Sequence, residues 1–291
     1  MMDYRKFSSV LNAHLFEGDK KNLLIRLAQD PSRFIGLFRS SKPKTKVIQY
    51  LLQSREIRFG DAMEETICSL LQDLGFQTLP LSLQGKNGRL SLDLHFQDAK
   101  KEYVVEMKVR DDHDSTKKKG QADNFEEKVL TLSEKCKKEL IGIVFFLDPS
   151  MNKNARYYQS RMDDLGKRVK AKLHLCYGPE FFELIGHPKI WDQLIEWLKQ
   201  WQNGLPDFPE VNFDLTPNHS LEDIKSIDLK VFTLLFGNTE LWERGIIFAL
   251  FPQGTTLRLL LDYLKGQATS PYINLARLLE DKVAVYYPRQ K

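Results

Sequence analysis

Asp93, Glu106 and Lys108 are charged residues inside two runs rich in aliphatic and aromatic residues, RLSLDLHF at 89–96 and EYVVEMKV at 102–109. Such runs are typical of β-strands, and burying a charge is costly unless the charge has a partner or a function. Carboxylate oxygens can hold Mg²⁺, which neutralises charge developing on a phosphate. A nearby lysine could position the attacking water, help to deprotonate it, or stabilise the transition state. These residue types fit metal-dependent hydrolysis of phosphodiester bonds.

The alternation of side chains along a strand predicts that these three residues share one patch. In the second run Glu106 and Lys108 point to one face, and in the first run Asp93 lies on the face opposite the leucines. If the strands pair as a hairpin with their apolar faces aligned, the three charges converge. The alternative interpretation is a cross-strand ion pair of Glu106 with Lys108, and an ordinary acid near a turn at position 93.

The surrounding segments predict an α/β fold with a mixed central β-sheet flanked by helices. An amphipathic helix is predicted at 60–76, ended by Gly75, and is followed by the two strand-like runs. Next come a helix at about 120–139, a buried strand IGIVFFL, a basic helix at about 153–172 and a strand KLHLCYG. Antiparallel strands followed by strands alternating with helices indicate a mixed sheet.

Turn and linker segments predict that the chain has three regions. Residues 1–59 form an N-terminal helical region with a basic turn at 40–46, residues 60–204 form the α/β core, and residues 205–291 form a mainly helical C-terminal region. A linker-like stretch, LPDFPEVNFD, begins the last region. The same region is compatible with a winged-helix arrangement that ends in a strand, KVAVYY at 282–287.

Asp93 followed by Glu106-Met107-Lys108 resembles the D…ExK signature of the PD-(D/E)xK nuclease superfamily, which includes many type II restriction endonucleases. The resemblance extends over residues 60–177, since Gly60, Met63, Glu64 and Gly75 are similar to the helix before that core, and Gln121 with Phe125 is similar to the helix after it. Leu92 stands where the proline of the motif would be.

The resemblance implies a restriction-endonuclease-like core with helical additions at both ends. It also implies a Mg²⁺ cofactor bound by Asp93 and Glu106, with Glu64 as an additional ligand and Lys108 assisting the water. Glu65 beside Glu64 leaves the helix ligand ambiguous, and Glu64 is preferred because it follows the inward-facing Met63. A solvated helix charge is the alternative for Glu64.

The segment RDDHDSTKKKGQ at 110–121 follows the second strand, where a loop would lie beside the scissile phosphate. Lys117, Lys118, Lys119 and Gln121 are predicted DNA contacts, and a solvated turn is the alternative. His113 is not expected to be essential. Asp112 and Asp114 are candidates for orienting the site or capping a helix.

The basic helix near 153–172 is the other predicted contact with the DNA backbone, and Arg156 and Arg161 are its candidate residues. Residues 1–60 carry twelve Lys and Arg against five Asp and Glu, although the net charge of the chain is only +4. A local excess of positive charge suits a polyanionic partner, and solvated helix faces are an equal alternative. The tryptophan-containing helix at 190–201 is expected to pack rather than to stack on bases.

Composition excludes several classes of protein. The apolar runs are much shorter than a membrane helix, and the N-terminus MMDYRKFSSV lacks the apolar stretch of a signal peptide. The three cysteines are scattered and indicate neither a disulfide framework nor a zinc site. A cytoplasmic protein without membrane association is predicted.

The function predicted from these features is Mg²⁺-dependent, sequence-specific cleavage of double-stranded DNA by a type II restriction endonuclease. A homodimer is expected if the recognised site is palindromic, because protein symmetry then matches DNA symmetry. The alternatives are a DNA-repair or junction-resolving nuclease of the same superfamily and a non-catalytic DNA-binding regulator.

Overall fold

The computed structural model describes residues 2–38, 40–85, 88–111 and 114–288. Seven strands are present in these ranges: β1 (Gln77–Thr78), β2 (Ser82–Gly85), β3 (Gly88–Ser91), β4 (Leu94–Gln97), β5 (Lys101–Lys108), β6 (Glu139–Phe146) and β7 (Ala171–Tyr177). The helices in the same part of the chain are α1 (Tyr4–Phe16), α2 (Asp19–Gln29), α3 (Ser32–Ile35), α4 (Pro43–Asp73), α5 (Ser115–Ser133), α6 (Ala155–Gly166), α7 (Pro179–Leu184) and α8 (Lys189–Asn203).

The C-terminal part of the chain is helical throughout its described residues. A 3-10 turn at Phe213–Leu215 precedes α9 (Pro217–Ile224), α10 (Leu229–Gly237), α11 (Thr239–Glu243), α12 (Ile246–Leu250), α13 (Thr255–Lys265) and α14 (Ser270–Tyr286). The predicted strand KVAVYY is wrong, since most of it lies in α14. Buried residues at helical spacing, Leu275, Leu279 and Val283, explain the difference because their packing outweighs the local β propensity.

The main sheet has five strands in the order β1-β4-β5-β6-β7. The β4 strand is antiparallel to both of its neighbours, β1 and β5, whereas β5, β6 and β7 run parallel to one another. The predicted mixed sheet flanked by helices, with helical regions at both ends of the chain, is confirmed. The two central strands, β5 and β6, are buried over most of their length, which fits their nearly continuous apolar sequences.

One face of the sheet is covered by α5 and α6. Val104, Val144 and Phe146 of the sheet pack against Phe125 and Val129 of α5 in a buried apolar cluster. On the other face aromatic rings stack in pairs, Phe96 on Tyr103 at 4.7 Å and Phe145 on Phe181 at 4.4 Å between centroids. Both faces of β5 are therefore covered by other parts of the chain.

The α8 helix packs through its aromatic stripe, as predicted. Leu194, Trp197 and Trp201 are buried, and Trp201 Nε1 donates a hydrogen bond to Asn12 Oδ1 at 2.9 Å. Trp197 and Trp201 thus contribute to the core of the protein and not to an exposed stacking surface.

Two elements begin earlier than the sequence predicts. The α4 helix begins at Pro43 rather than near residue 60, because buried Val47 and Leu51 continue its apolar face towards the N-terminus. It ends as predicted before Gly75, whose φ of 90° favours glycine. The α5 helix begins at Ser115 and not near Gly120, because Asp114 caps it by accepting hydrogen bonds from the backbone N–H groups of Thr116 and Lys117.

The first strand-like run, 89–96, is not one continuous strand. It is divided between β3, which pairs with β2 in a two-stranded sheet, and β4, which pairs with β5. The interruption lies at residues 92–93, where the side chain of Asp93 accepts a hydrogen bond from Met107 N at 2.8 Å. The carboxylate thus takes a β5 backbone donor that a continuing strand would have paired with a carbonyl.

The described residues divide into two compact units. The first consists of Met1–His14 with Arg58–Leu205 and contains the sheet. The second consists of Leu15–Ile57 with Pro206–Lys291, and its core is built from helices only. None of the helices in the described ranges combines the length and the apolar character needed to cross a membrane.

Candidate active site

Asp93 lies at the break between β3 and β4, next to the carboxyl-terminal end of β5. Its Oδ2 atom accepts two hydrogen bonds of 2.8 Å, one from Met107 N and one from Lys108 Nζ. The backbone contact fixes the carboxylate against β5, and the lysine contact neutralises it. Asp93 is therefore brought to the other two predicted residues by the geometry of the strand break.

Glu106 lies between two lysines. Its Oε1 atom is 2.9 Å from Lys108 Nζ, and its Oε2 atom is bound by Lys128 Nζ of α5. The Glu106 side chain is only 8% exposed, whereas the Lys108 side chain is 28% exposed and reaches the surface. The structure brings Asp93 and Glu106 into contact with the same Lys108 ammonium, although Asp93 comes from a strand break and not from an alternating strand position.

The Lys108 ammonium is a positive charge shared by two carboxylates. Burial alone would lower the pKa of Lys108, but the carboxylates of Glu106 and Asp93 more than offset that effect and raise it above the ordinary lysine value. Because both carboxylates reach one cationic group, the donor set and its charge fit a metal cation such as Mg²⁺. The donor set consists of these two carboxylates, because no group of three or more His, Cys, Asp and Glu in the described parts of the chain is arranged so that it could hold a metal ion.

Glu64 faces this cluster from α4, whereas Glu65 pairs with His14 at 2.8 Å. Burial, followed by the negative charge of Asp93, raises the pKa of Glu64 to about 7, and the positive charge of Lys108 acts in the opposite direction. Glu64, and not Glu65, is thus the acid of this helix whose charge interacts with the cluster.

The three consecutive lysines are on the first turns of α5 and not on a loop. Lys117 and Lys119 are exposed, but Lys118 is half-buried. Lys118 Nζ donates to Asn154 Oδ1 at 3.1 Å and lies 4.8 Å from the ring centroid of Tyr157. Lys118 is therefore held by neighbouring side chains, whereas the side chains of Lys117 and Lys119 are exposed to solvent. Asp112 and His113, for which predictions are made from the sequence, lie outside the described residues.

The remaining predicted DNA contacts differ in their surroundings. Arg156 is exposed on α6. Arg161 of the same helix forms ion pairs with Asp123 at 2.6 Å and Glu126 at 2.9 Å, which join α6 to α5. Gln121 accepts a hydrogen bond from the Tyr158 hydroxyl at 2.7 Å.

Sequence reasoning missed Lys128. Its position carried a signal, because Gln121, Phe125, Lys128 and Leu132 follow the spacing of one helix face, and a lysine on the apolar face of a helix needs a buried anion. What the sequence could not supply is the identity of that anion, which lies on a strand far away in the chain.

A second buried carboxylate, Asp111, was also missed. It is fully buried just beyond β5, and its oxygens accept hydrogen bonds from Asn154 N at 2.7 Å, Asn154 Nδ2 at 2.8 Å and the Tyr177 hydroxyl at 3.0 Å. This Asp111 junction connects the end of β5 to the start of α6 and the end of β7. In the sequence it is one of several acids in RDDHD, and nothing there separates it from a solvated turn.

The comparisons with known proteins identify the family of the chain. A family model described as type II restriction endonuclease, HinfI, matches residues 3–85 and 81–202, which is more than half of the chain. A comparison with curated proteins gives no match. The match favours a restriction enzyme over the repair nuclease and the non-catalytic regulator. The chain therefore belongs to the HinfI family of type II restriction endonucleases, which are site-specific endodeoxyribonucleases.

Proposed function

We propose that Asp93, Glu106 and Lys108 form the catalytic site of this endonuclease and that Mg²⁺ is its cofactor. The observation that carries the proposal is the contact of Lys108 Nζ with both carboxylates, at 2.8 Å to Asp93 and 2.9 Å to Glu106. Two carboxylates that converge on one cationic group can also converge on a divalent metal ion. The residue range proposed for the nuclease core is 60–204.

In this mechanism Asp93 and Glu106 bind the metal, and Glu64 is a further candidate ligand from α4. Hydrolysis forms a bond between a water oxygen and phosphorus and breaks the bond from phosphorus to one deoxyribose oxygen. Bound Mg²⁺ supplies neutralisation of the charge that develops on the phosphate. Lys108 reaches the surface from between the carboxylates, so its ammonium is suited to donate hydrogen bonds to the attacking water or to a phosphate oxygen.

The DNA-binding surface is proposed to lie on the adjacent ends of α5 and α6. Lys117, Lys119 and Arg156 are exposed cations that can pair with phosphates directly. Lys118 would contact DNA from a fixed position, because Asn154 and Tyr157 hold it. Gln121 and Arg161 remain proposed contacts that would exchange their present partners for DNA.

We further propose a homodimer in the cytoplasm. A two-fold protein dimer would match a palindromic recognition site, with one catalytic site for each strand. Three free cysteines, Cys68, Cys136 and Cys176, fit a reducing compartment. Sedimentation of the purified protein with and without DNA would measure the oligomeric state, and a monomer in both conditions would contradict the dimer.

The test of the catalytic proposal is cleavage of unmethylated phage DNA by purified protein in Mg²⁺. The wild type should give discrete fragments that disappear in EDTA and with Lys108→Ala. The matched control is Lys199→Ala, because Lys199 is an exposed lysine of α8 that pairs with Glu196 of the same helix, and this variant should cleave like the wild type. Fragments of unchanged yield in EDTA would contradict the metal requirement, and normal cleavage by Lys108→Ala would contradict the assignment of this lysine.

A further inference from the structure

Lys128 is a buried lysine in an apolar environment. Its side chain is 4% exposed, and α5 carries it on the face that packs against the sheet beside Phe125, Val129 and Leu132. A buried ammonium needs an anionic partner, and Lys128 finds it in Glu106 of β5. A methionine at position 128 would fill a similar volume without carrying a charge.

The two lysines divide the oxygens of Glu106 between them. Lys108 binds Oε1 from the side that reaches the surface, and Lys128 binds Oε2 from the interior. A cation that enters from solvent can replace the half-exposed Lys108, but it has no comparable access to Lys128. Glu106 therefore offers one oxygen for exchange and keeps the other fixed.

The close approach of α5 to the sheet makes this contact possible. A Cβ atom added to Gly142 of β6 would lie 3.1 Å from a Val129 methyl group and 3.2 Å from the Phe125 ring. The glycine thus lets the helix lie directly on the sheet at the level of Lys128. Replacing a buried ion pair by well-packed apolar residues is often neutral or stabilising, so stability alone does not account for a lysine at this position.

We propose that Lys128 is a positioning residue of the nuclease site, which holds Oε2 of Glu106 so that Oε1 faces Asp93 and the incoming metal ion. The inference rests on the proposed function, because it requires Glu106 to be a metal ligand. Residues that orient a metal ligand in this way raise metal affinity by fixing the ligand before the metal arrives.

The experiment measures Mn²⁺ binding to the full-length, DNA-free protein by calorimetry, with the melting temperature recorded for each variant. Lys128→Met removes the hydrogen-bond donor and should raise the Kd for Mn²⁺ by about 10- to 100-fold. Lys128→Gln keeps one neutral donor and should give an intermediate Kd. Val129→Ala is the matched control, because it weakens the same helix in the same cluster without touching Glu106, and its Kd should equal that of the wild type.

The outcomes separate this inference from the proposed function. If Asp93→Asn and Glu106→Gln lose Mn²⁺ binding while both Lys128 variants bind like the wild type, the positioning role is wrong and the metal site stands. If Asp93→Asn and Glu106→Gln bind normally, the metal site itself is wrong. An equal loss of affinity in Val129→Ala would attribute the effect to packing and overturn the inference. Should Lys128→Met not fold, Lys128→Gln carries the test, and unfolding of both would make Lys128 a purely structural residue.

Discussion

Two buried carboxylates at the carboxyl-terminal end of β5 are stabilised in different ways. Glu106 is bound by the ammonium groups of Lys108 and Lys128, whereas Asp111 is bound by neutral donors from Asn154 and Tyr177. Both arrangements stabilise a buried carboxylate, but only Glu106 has a partner, Lys108, whose side chain reaches solvent. The contrast separates a carboxylate that can exchange its partner from one that cannot.

The geometry of the donors explains that difference. Backbone N–H, amide and hydroxyl donors are fixed by the fold, so the Asp111 junction depends on the positions of β5, α6 and β7. The Lys108 side chain is long and half-exposed, and a divalent cation can take its place beside Asp93 and Glu106. We therefore expect substitutions at the site to affect cleavage and substitutions at the junction to affect folding.

The largest effect is expected from Asp93→Asn. The amide keeps an oxygen that can accept the hydrogen bond of Met107 N, but it loses the charge that is proposed to bind metal. Loss of several kcal/mol of transition-state stabilisation corresponds to a fall in cleavage rate of about 1,000-fold or more. The free energy of unfolding should change by only about 1 kcal/mol, because the amide oxygen can still accept both hydrogen bonds that Oδ2 accepts and only their ionic character is lost. Cleavage time courses and denaturant titration measure the two quantities, and near-normal cleavage would contradict the distinction.

Asp111→Asn is expected to lower the stability of the protein more than its cleavage rate. An amide group in place of one carboxylate oxygen puts N–H donors against the donors of Asn154 or Tyr177 in a fully buried position. Leaving such groups unsatisfied should lower the free energy of unfolding by about 1–3 kcal/mol. Well below the melting temperature, cleavage should stay within about tenfold of the wild type. If the folded variant instead loses cleavage as completely as Asp93→Asn, the junction belongs to the catalytic machinery.

The sequence predicts the site better than it predicts the junction. Asp93, Glu106 and Lys108 are recognisable because strand alternation places two of them on one face and a short hairpin brings the third. Asp111 follows the strand in a run of acids, so its burial depends on Asn154 and Tyr177, which are distant in the chain. Tertiary contacts of this kind leave no local pattern.

The fold, too, can be predicted from the sequence only where it does not depend on tertiary contacts. The mixed sheet follows from the order of the segments, but the early start of α4 and the helical α14 depend on burial within cores that the sequence does not locate. Local β propensity at 282–287 was overridden by packing at helical spacing. Lys128 lies between these cases, because its helical position indicates a buried partner without identifying Glu106.

A smaller effect is expected from Lys118→Ala, which removes the cation that the Asp111 junction holds through Asn154. If Lys118 contacts one phosphate, the slope of log Kd against log salt concentration should become shallower by about 0.9. Fluorescence anisotropy with duplex DNA in a series of salt concentrations measures this slope. Lys199→Ala is the control and should keep the wild-type slope, and an unchanged slope for Lys118→Ala would show that the junction does not present its lysine to DNA.

The smallest effect concerns Cys176, which precedes Tyr177 on β7 and so reports on opening of the Asp111 junction. Burial, with a smaller contribution from the carboxylate of Glu180, raises the pKa of Cys176 to about 12. Only the thiolate reacts, and burial keeps this thiol protonated, so alkylation by iodoacetamide at pH 8 should be slow. Asp111→Asn should increase the labelling rate several-fold at constant pH, because loss of its hydrogen bond with Tyr177 lets the end of β7 open more often.

Asp93→Asn should leave the rate unchanged, and mass spectrometry of the labelled peptides compares both variants with the wild type. Equal labelling in all three proteins would mean that the end of β7 is held by its strand pairing with β6 and not by Asp111.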